Sequence, residues 1–129
     1  MSSIFTRIVR GEIPCHKIAE DDRFLAFLDI RPIAEGHCLV IPKHETDYLF
    51  DLDDATLGGL LIFAKPIACA LKQIVPCKRI GIIVAGLEVP HAHVHLVPIS
   101  EISQLNFANA RPADQAALAD LTKKIRAAF

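Results

Sequence analysis

The sequence predicts an α+β domain, a largely antiparallel five-stranded sheet with one long central helix and short N- and C-terminal helices. Three observations carry this. Runs of strand length rich in Ile, Leu, Val and Phe are separated by turn-forming residues around Asp21-Asp22, between Arg31 and Gly36, and between Gly86 and Pro90. One stretch, 53–75, sets Leu57, Leu60, Leu61, Ala64, Ile67, Leu71 and Ile74 along a single helical stripe. Near the end of the apolar pattern, His91, His93 and His95 occupy every second position, which is the period of a strand.

In chain order, Ile4 to Val9 has apolar residues at helical spacing and stops at Gly11, so a short N-terminal helix is expected, with Pro14 forcing an extended exit. Segments 17–20 and 23–30 read as two antiparallel strands joined by Asp21-Asp22, with Glu20, Asp21 and Asp22 forming a hairpin tip in water. A loop at 31–36 leads to a third strand at 37–42. The main helix begins at Asp53 or Asp54, both good caps, and ends at Pro76. Pro66 lies inside it, where it removes a donor and crowds the carbonyl of Ile62, so a kink or break is expected there. A fourth strand covers 79–85, and the histidine strand returns beside it and ends at Pro98. The last segment, about 112–127, is an amphipathic helix with Pro112 first, Asp114 in the first turn, and Ala117, Leu118, Leu121 and Ile125 on one side.

The chain has 129 residues, 52% hydrophobic and 22% charged, which suits one domain over 1–129 with one core. Its formal net charge is −1 with both signs interspersed, so neither nucleic acid nor an anionic membrane surface is expected as a partner. Lys65, Pro66, Lys72 and Glu88 interrupt the apolar stretches, and no export or membrane-spanning segment is expected. Cys15, Cys38, Cys69 and Cys77 form no CxxC and read as thiols, most of them buried, in a reducing, cytoplasmic setting.

Imidazole is costly to bury idly. Three of them on one strand face, with Ala92, Val94 and Leu96 behind, therefore describe an active site. A metal centre is the rival reading. The α-carbons of His91 and His95 are ~13 Å apart on a strand, so all three cannot easily grip one ion, though two of them with His37 or His44 could. Asp29 stands out as a charge between Leu28 and Ile30, either a ligand-binding acid or a turn residue at a strand end.

The run His91-Ala-His93-Val-His95-Leu-Val97 resembles the signature of the histidine triad family. Upstream, Ile4-Phe5, Gly11-Glu12-Ile13-Pro14, Glu20-Asp21-Asp22, Ala26-Phe27-Leu28-Asp29-Ile30, Pro32, Gly36-His37 and Leu39-Val40-Ile41-Pro42-Lys43 resemble its HINT branch, from about Ile4 to Pro98. The resemblance implies a HIT-like fold and a homodimeric purine-nucleotide hydrolase or transferase that needs neither metal nor other cofactor. It would act on AMP-linked phosphoramidates or related nucleoside monophosphate derivatives. His93 would attack the α-phosphorus to form a covalent nucleotidyl-imidazole, His95 would donate to the phosphate or leaving group, and His91 and His37 would support the network. Asp29 would bind the ribose hydroxyls, and Ile4, Phe5, Ile8, Phe27, Ile30 and Leu39 would sandwich the base. Glu88 stands where relatives commonly place a Ser or Thr against the phosphate. A carboxylate there repels a phosphate oxyanion unless it is protonated, points away or serves a cationic leaving group. The alternative is a nucleotide-binding regulatory or scaffold protein with little turnover.

Overall fold

A computed structural model of the chain describes residues 2–129. Ser3 caps the first helix, α1 (Ile4–Val9), by accepting the Thr6 N–H, and Gly11, at φ 78°, turns the chain away from it. Strands β1 (Lys17–Glu20) and β2 (Phe24–Leu28) form a hairpin whose tip is organised by Asp21, which accepts the backbone N–H groups of Arg23 and Phe24 at 2.8 Å each. They are followed by β3 (Cys38–Pro42), α2 (Asp54–Ile74), β4 (Arg79–Ile83), β5 (Val94–Ile99) and α3 (Gln115–Ala127). The sheet is antiparallel in the order β1-β2-β3-β5-β4, so the strand carrying His95 is enclosed on both sides.

Alternation along the strands gives the sheet two faces. Phe24, Ala26, Leu28, Cys38, Val40, Val94 and Leu96 point to α2, where Leu60, Ala64, Ile67, Ala70 and Leu71 meet them. Leu118, Leu121 and Ile125 of α3 complete this core. The opposite face carries a smaller cluster of Leu25, Phe27, Leu39 and Ile41, covered by Phe5 from α1. By length and hydropathy alone α2 is apolar enough to cross a membrane, with a mean hydropathy of 1.5, yet its buried stripe forms one wall of the core.

Several boundaries differ from the sequence-based expectation, each for a local reason. The main helix is unbroken through Pro66, because that residue is exposed and the Ile62 carbonyl it leaves without an amide lies on the same exposed side. Pro98 does not end the last strand. It lies within β5 opposite Ile80, and because Ile99 directs its carbonyl to Lys78, Pro98 faces the other edge, beyond the end of β3, where no ladder bond is lost. Strand β5 begins at Val94, so His91 and His93 lie in the extended lead-in rather than in the ladder. Asp114 is the cap of α3, accepting the Ala117 N–H, and Pro112 precedes that helix. The four cysteines are free thiols, but Cys38 alone among them is buried, on β3, where desolvation raises its pKa and keeps it unreactive.

Candidate active site

The registers place the site on the face opposite α2. Phe27 pairs with Leu39, Leu39 with His95, and His95 with Ile83, and residues directly opposite in a ladder share a face. Phe27, Leu39 and His95 therefore form one row across the sheet, while Val94 and Leu96 go into the main core. His91, His93 and His95 are all buried. The rings of His93 and His95 lie 4.9 Å apart and edge-on, and Phe5 of α1 stands edge-on to His93 at 5.0 Å and to His91 at 5.8 Å. The expected single-face arrangement of imidazoles thus extends beyond the regular strand.

His37 joins them through a tight turn. Gly36 has φ 88°, and a Cβ there would come within 3.0 Å of Val75 and 3.1 Å of Pro98, so both conformation and space require glycine. The turn brings the Ile33 N–H to His37 Nδ1 at 3.1 Å, and His37 Nε2 reaches His95 Nδ1 at 2.9 Å. Asp29 approaches the same ring nitrogen, its Oδ2 3.6 Å from His37 Nε2. Its Oδ1 accepts the Arg31 N–H, so Asp29 is both a turn residue at the end of β2 and an acid turned to the site.

Hydrogen-bond chemistry fixes where the protons sit, because an amide can only donate and a carbonyl can only accept. The Ile33 amide makes His37 Nδ1 an acceptor, so neutral His37 carries its proton on Nε2 and gives it to His95 Nδ1. Neutral His95 then carries its own proton on Nε2. His91 Nε2 donates to the Pro42 carbonyl at 2.7 Å, and His93 Nδ1 donates to the His91 carbonyl at 2.7 Å. His93 Nε2 is thereby left as a bare acceptor. Neither His93 Nε2 nor His95 Nε2 has a protein partner, and among the described residues no buried side-chain nitrogen or oxygen lacks one, so both atoms reach solvent.

Burial is the main cause that keeps His37, His91 and His95 neutral. It pushes His95 down to about 3, helped by the neighbouring His37 and His93. It also lowers His37, against the pull of Asp29, and His91, against the Pro42 carbonyl and Glu45. Asp29, His37 and His95 lie close enough to suggest a three-ligand cation site. The donor chemistry does not fit one: a metal on His37 Nε2 would need the proton on Nδ1, where the Ile33 amide already points.

Two cavities lie near this site. A pocket of about 160 Å³ is lined by Ile4, Phe5, Ile8, Phe27, Asp29, Ile30 and Leu39, together with Ile13, Pro14, Cys15 and Leu28. Every nucleoside-contact residue expected from the resemblance is there except Glu88. That residue is exposed in the loop after β4 and lines neither cavity. The second cavity, about 510 Å³, is lined by His93 together with Tyr48, Phe50, Val84, Leu87 and Asp47 among others. Sequence reasoning missed Phe107, whose ring stands 5.0 Å from His95, and the trio Ser3, Thr6 and Glu45 around His91 Nδ1. Of these, only Ser3 had a local signal, as a helix cap before an apolar run.

Comparison with known proteins gives the family and the fold. The HIT domain family model matches residues 10–102. An uncharacterized HIT-like protein of Borreliella burgdorferi is 42% identical over 102 residues, covering 74% of this chain and 73% of its own. An adenosine 5′-monophosphoramidase of Schizosaccharomyces pombe is 39% identical over 103 residues, covering 76% and 74%. In structure, a Hit-like protein from Bartonella henselae, described as involved in cell-cycle regulation, superposes with a TM-score of 0.88 at 34% identity over 99% of this chain and 96% of that one. The family match and the shared fold agree, and the chain belongs to the HIT domain family.

Proposed function

We propose that this protein is a nucleotide hydrolase that works at the α-phosphate of AMP-linked phosphoramidates or related nucleoside monophosphate derivatives through a covalent nucleotidyl-His93 intermediate. The observation that carries the reading is the bond from His93 Nδ1–H to the His91 carbonyl, which in the neutral ring leaves Nε2 as a bare, solvent-reaching acceptor in a residue that lines the larger cavity. The purine lies between Ile4, Phe5 and Ile8 on one side and Phe27, Ile30 and Leu39 on the other, with the ribose hydroxyls on Asp29. This puts the α-phosphorus at His93 and the leaving group in the larger cavity beside Tyr48 and Phe50.

In the first step the Nε2–P bond forms as the bond from phosphorus to the leaving atom breaks. In the second, water attacks phosphorus, AMP leaves and His93 regains its lone pair. The net reaction consumes one water, whose hydroxyl goes to AMP and whose proton goes to the leaving amine. His95, held neutral with Nε2–H outward, donates a hydrogen bond to a phosphate oxygen or the leaving atom, and His37 and His91 hold its tautomer and the aim of His93. A homodimer is part of this reading. The exposed Leu61 and Ile62 of α2 and the open edge of β4 offer the apolar surface for it, and sedimentation would report a monomer if the assignment fails.

The deciding experiment is hydrolysis of adenosine 5′-phosphoramidate with and without a strong chelator, with His93→Ala as the blank. Chelator-insensitive turnover that vanishes in the variant is the expected result. AMP binding without turnover across several leaving groups would favour a regulatory nucleotide-binding role instead.

A further inference from the structure

The chain from Pro42 to Thr46, immediately after β3, holds the stretch that aims the nucleophile at three points. The Pro42 carbonyl takes the Nε2 proton of His91 at 2.7 Å, the Thr46 carbonyl takes the Ala92 N–H at 2.7 Å, and Glu45 reaches His91 indirectly. Glu45 Oε1 accepts the Ser3 N–H at 2.6 Å and the Thr6 hydroxyl at 2.5 Å. Ser3 Oγ lies 2.9 Å and Thr6 Oγ1 3.3 Å from His91 Nδ1.

The protons in this cluster have one consistent arrangement. Nδ1 of neutral His91 is an acceptor, since its only proton is on Nε2. Thr6 spends its hydroxyl proton on Glu45, so the proton received by Nδ1 comes from Ser3 Oγ, which in turn accepts the Thr6 N–H as the helix cap. Glu45, drawn down to about 2 by the bonds from Thr6 and Ser3, is an ionised acceptor at any working pH. A six-residue helix does not hold itself in place, so α1 depends on such anchors, and it carries Ile4, Phe5 and Ile8 into the pocket.

We infer that Glu45 is a positioning residue: through Ser3 it holds His91, whose carbonyl aims His93, and through Ser3 and Thr6 it seats the helix that walls the nucleoside pocket. It touches no substrate atom in this arrangement. One exposed carboxylate thereby links the pocket to the nucleophile.

This inference rests on the hydrolase reading, and its test separates the two. Glu45→Ala, Glu45→Gln and Thr6→Val would be compared with the parent protein for kcat and KM on adenosine 5′-phosphoramidate. The imidazole nitrogen NMR signals of His91 and His93 and the melting temperature would be read on the same samples. Glu45→Ala should lower kcat about tenfold and raise KM, and should move or broaden both histidine signals. Glu45→Gln keeps an oxygen that can accept both bonds, and it should restore all of these. Thr6→Val removes one of the two bonds that seat α1 on Glu45 but leaves the Ser3 bonds to Glu45 and to His91, so it should raise KM with kcat and the histidine signals little changed. The inference is overturned if Glu45→Ala leaves kcat, KM and the histidine signals unaltered, or if Glu45→Gln is as impaired as Glu45→Ala. Absence of turnover in the parent protein would remove the hydrolase reading, while the histidine signals would still judge the role of Glu45.

Discussion

Strand β5 carries the two halves of this protein back to back. Val94 and Leu96 enter a core closed by α2 and α3, where each apolar side chain meets others of its kind. His93 just before the strand and His95 within it face the other way, toward a smaller apolar cluster and two cavities, where each ring nitrogen is either bonded or open to solvent. The first face supplies stability through burial. The second uses the rigidity of the same strand to hold imidazoles in one tautomer, which a flexible loop could not do.

Breaking one face should spare the other. The largest effect is expected for His93→Ala, which should lower turnover by at least about 10⁴-fold while the melting temperature and nucleotide affinity change little. Comparable rates in variant and parent would remove His93 from its role. On the opposite face, Leu96→Ala empties a fully buried position and should cost about 2–5 kcal/mol in denaturant unfolding, with kcat per folded molecule retained. If kcat collapses along with stability, the two faces are not separable.

The histidine face also carries a stability cost that pH exposes. The pKa values of His37, His91 and His95 are lowered by burial, that of His95 from 6.5 to about 3, so the unfolded chain binds protons that the native state refuses. Stability is therefore complete above about pH 6.5 and declines as pH falls toward about 3. A His95→Asn variant should show a shallower decline in melting temperature over that window, and an unchanged profile would contradict the burial argument. The smallest effect expected is for Asp29→Ala, which should weaken AMP binding about tenfold while leaving inorganic phosphate binding nearly unchanged. Equal losses would dissociate Asp29 from the ribose.

Most of the fold was legible because apolar periodicity and punctuation act locally. The alternation at 91–97, the cap at Asp53 and the stop at Pro76 each depend on neighbours within a few residues, and β-strand and helix followed from them. The errors arose where a local rule met a distant partner. Pro66 read as a kink or a break and Pro98 as a strand end, yet the helix runs on through the one, which lies on an exposed face, and the strand through the other, which faces a point beyond the end of β3, facts that only packing supplies.

The site divides in the same way. The identity of the triad, and through the family likeness the grouping of Asp29 with Ile4, Phe5, Ile8, Phe27, Ile30 and Leu39, could be written down from the sequence, and the pocket lining contains all seven. Glu88, expected beside the phosphate, is left by the fold exposed and outside both cavities.

By itself the sequence determined which residue types recur at strand and helix periods, where elements start and stop, and that imidazoles share one face. Those properties are set by backbone geometry and near neighbours. Tertiary structure alone decided which nitrogen of His37, His91, His93 and His95 carries the proton. That choice depends on the Ile33 amide, the Pro42 and His91 carbonyls and the Glu45 carboxylate, groups far apart along the chain or hidden in its backbone, where no side-chain pattern can reveal them.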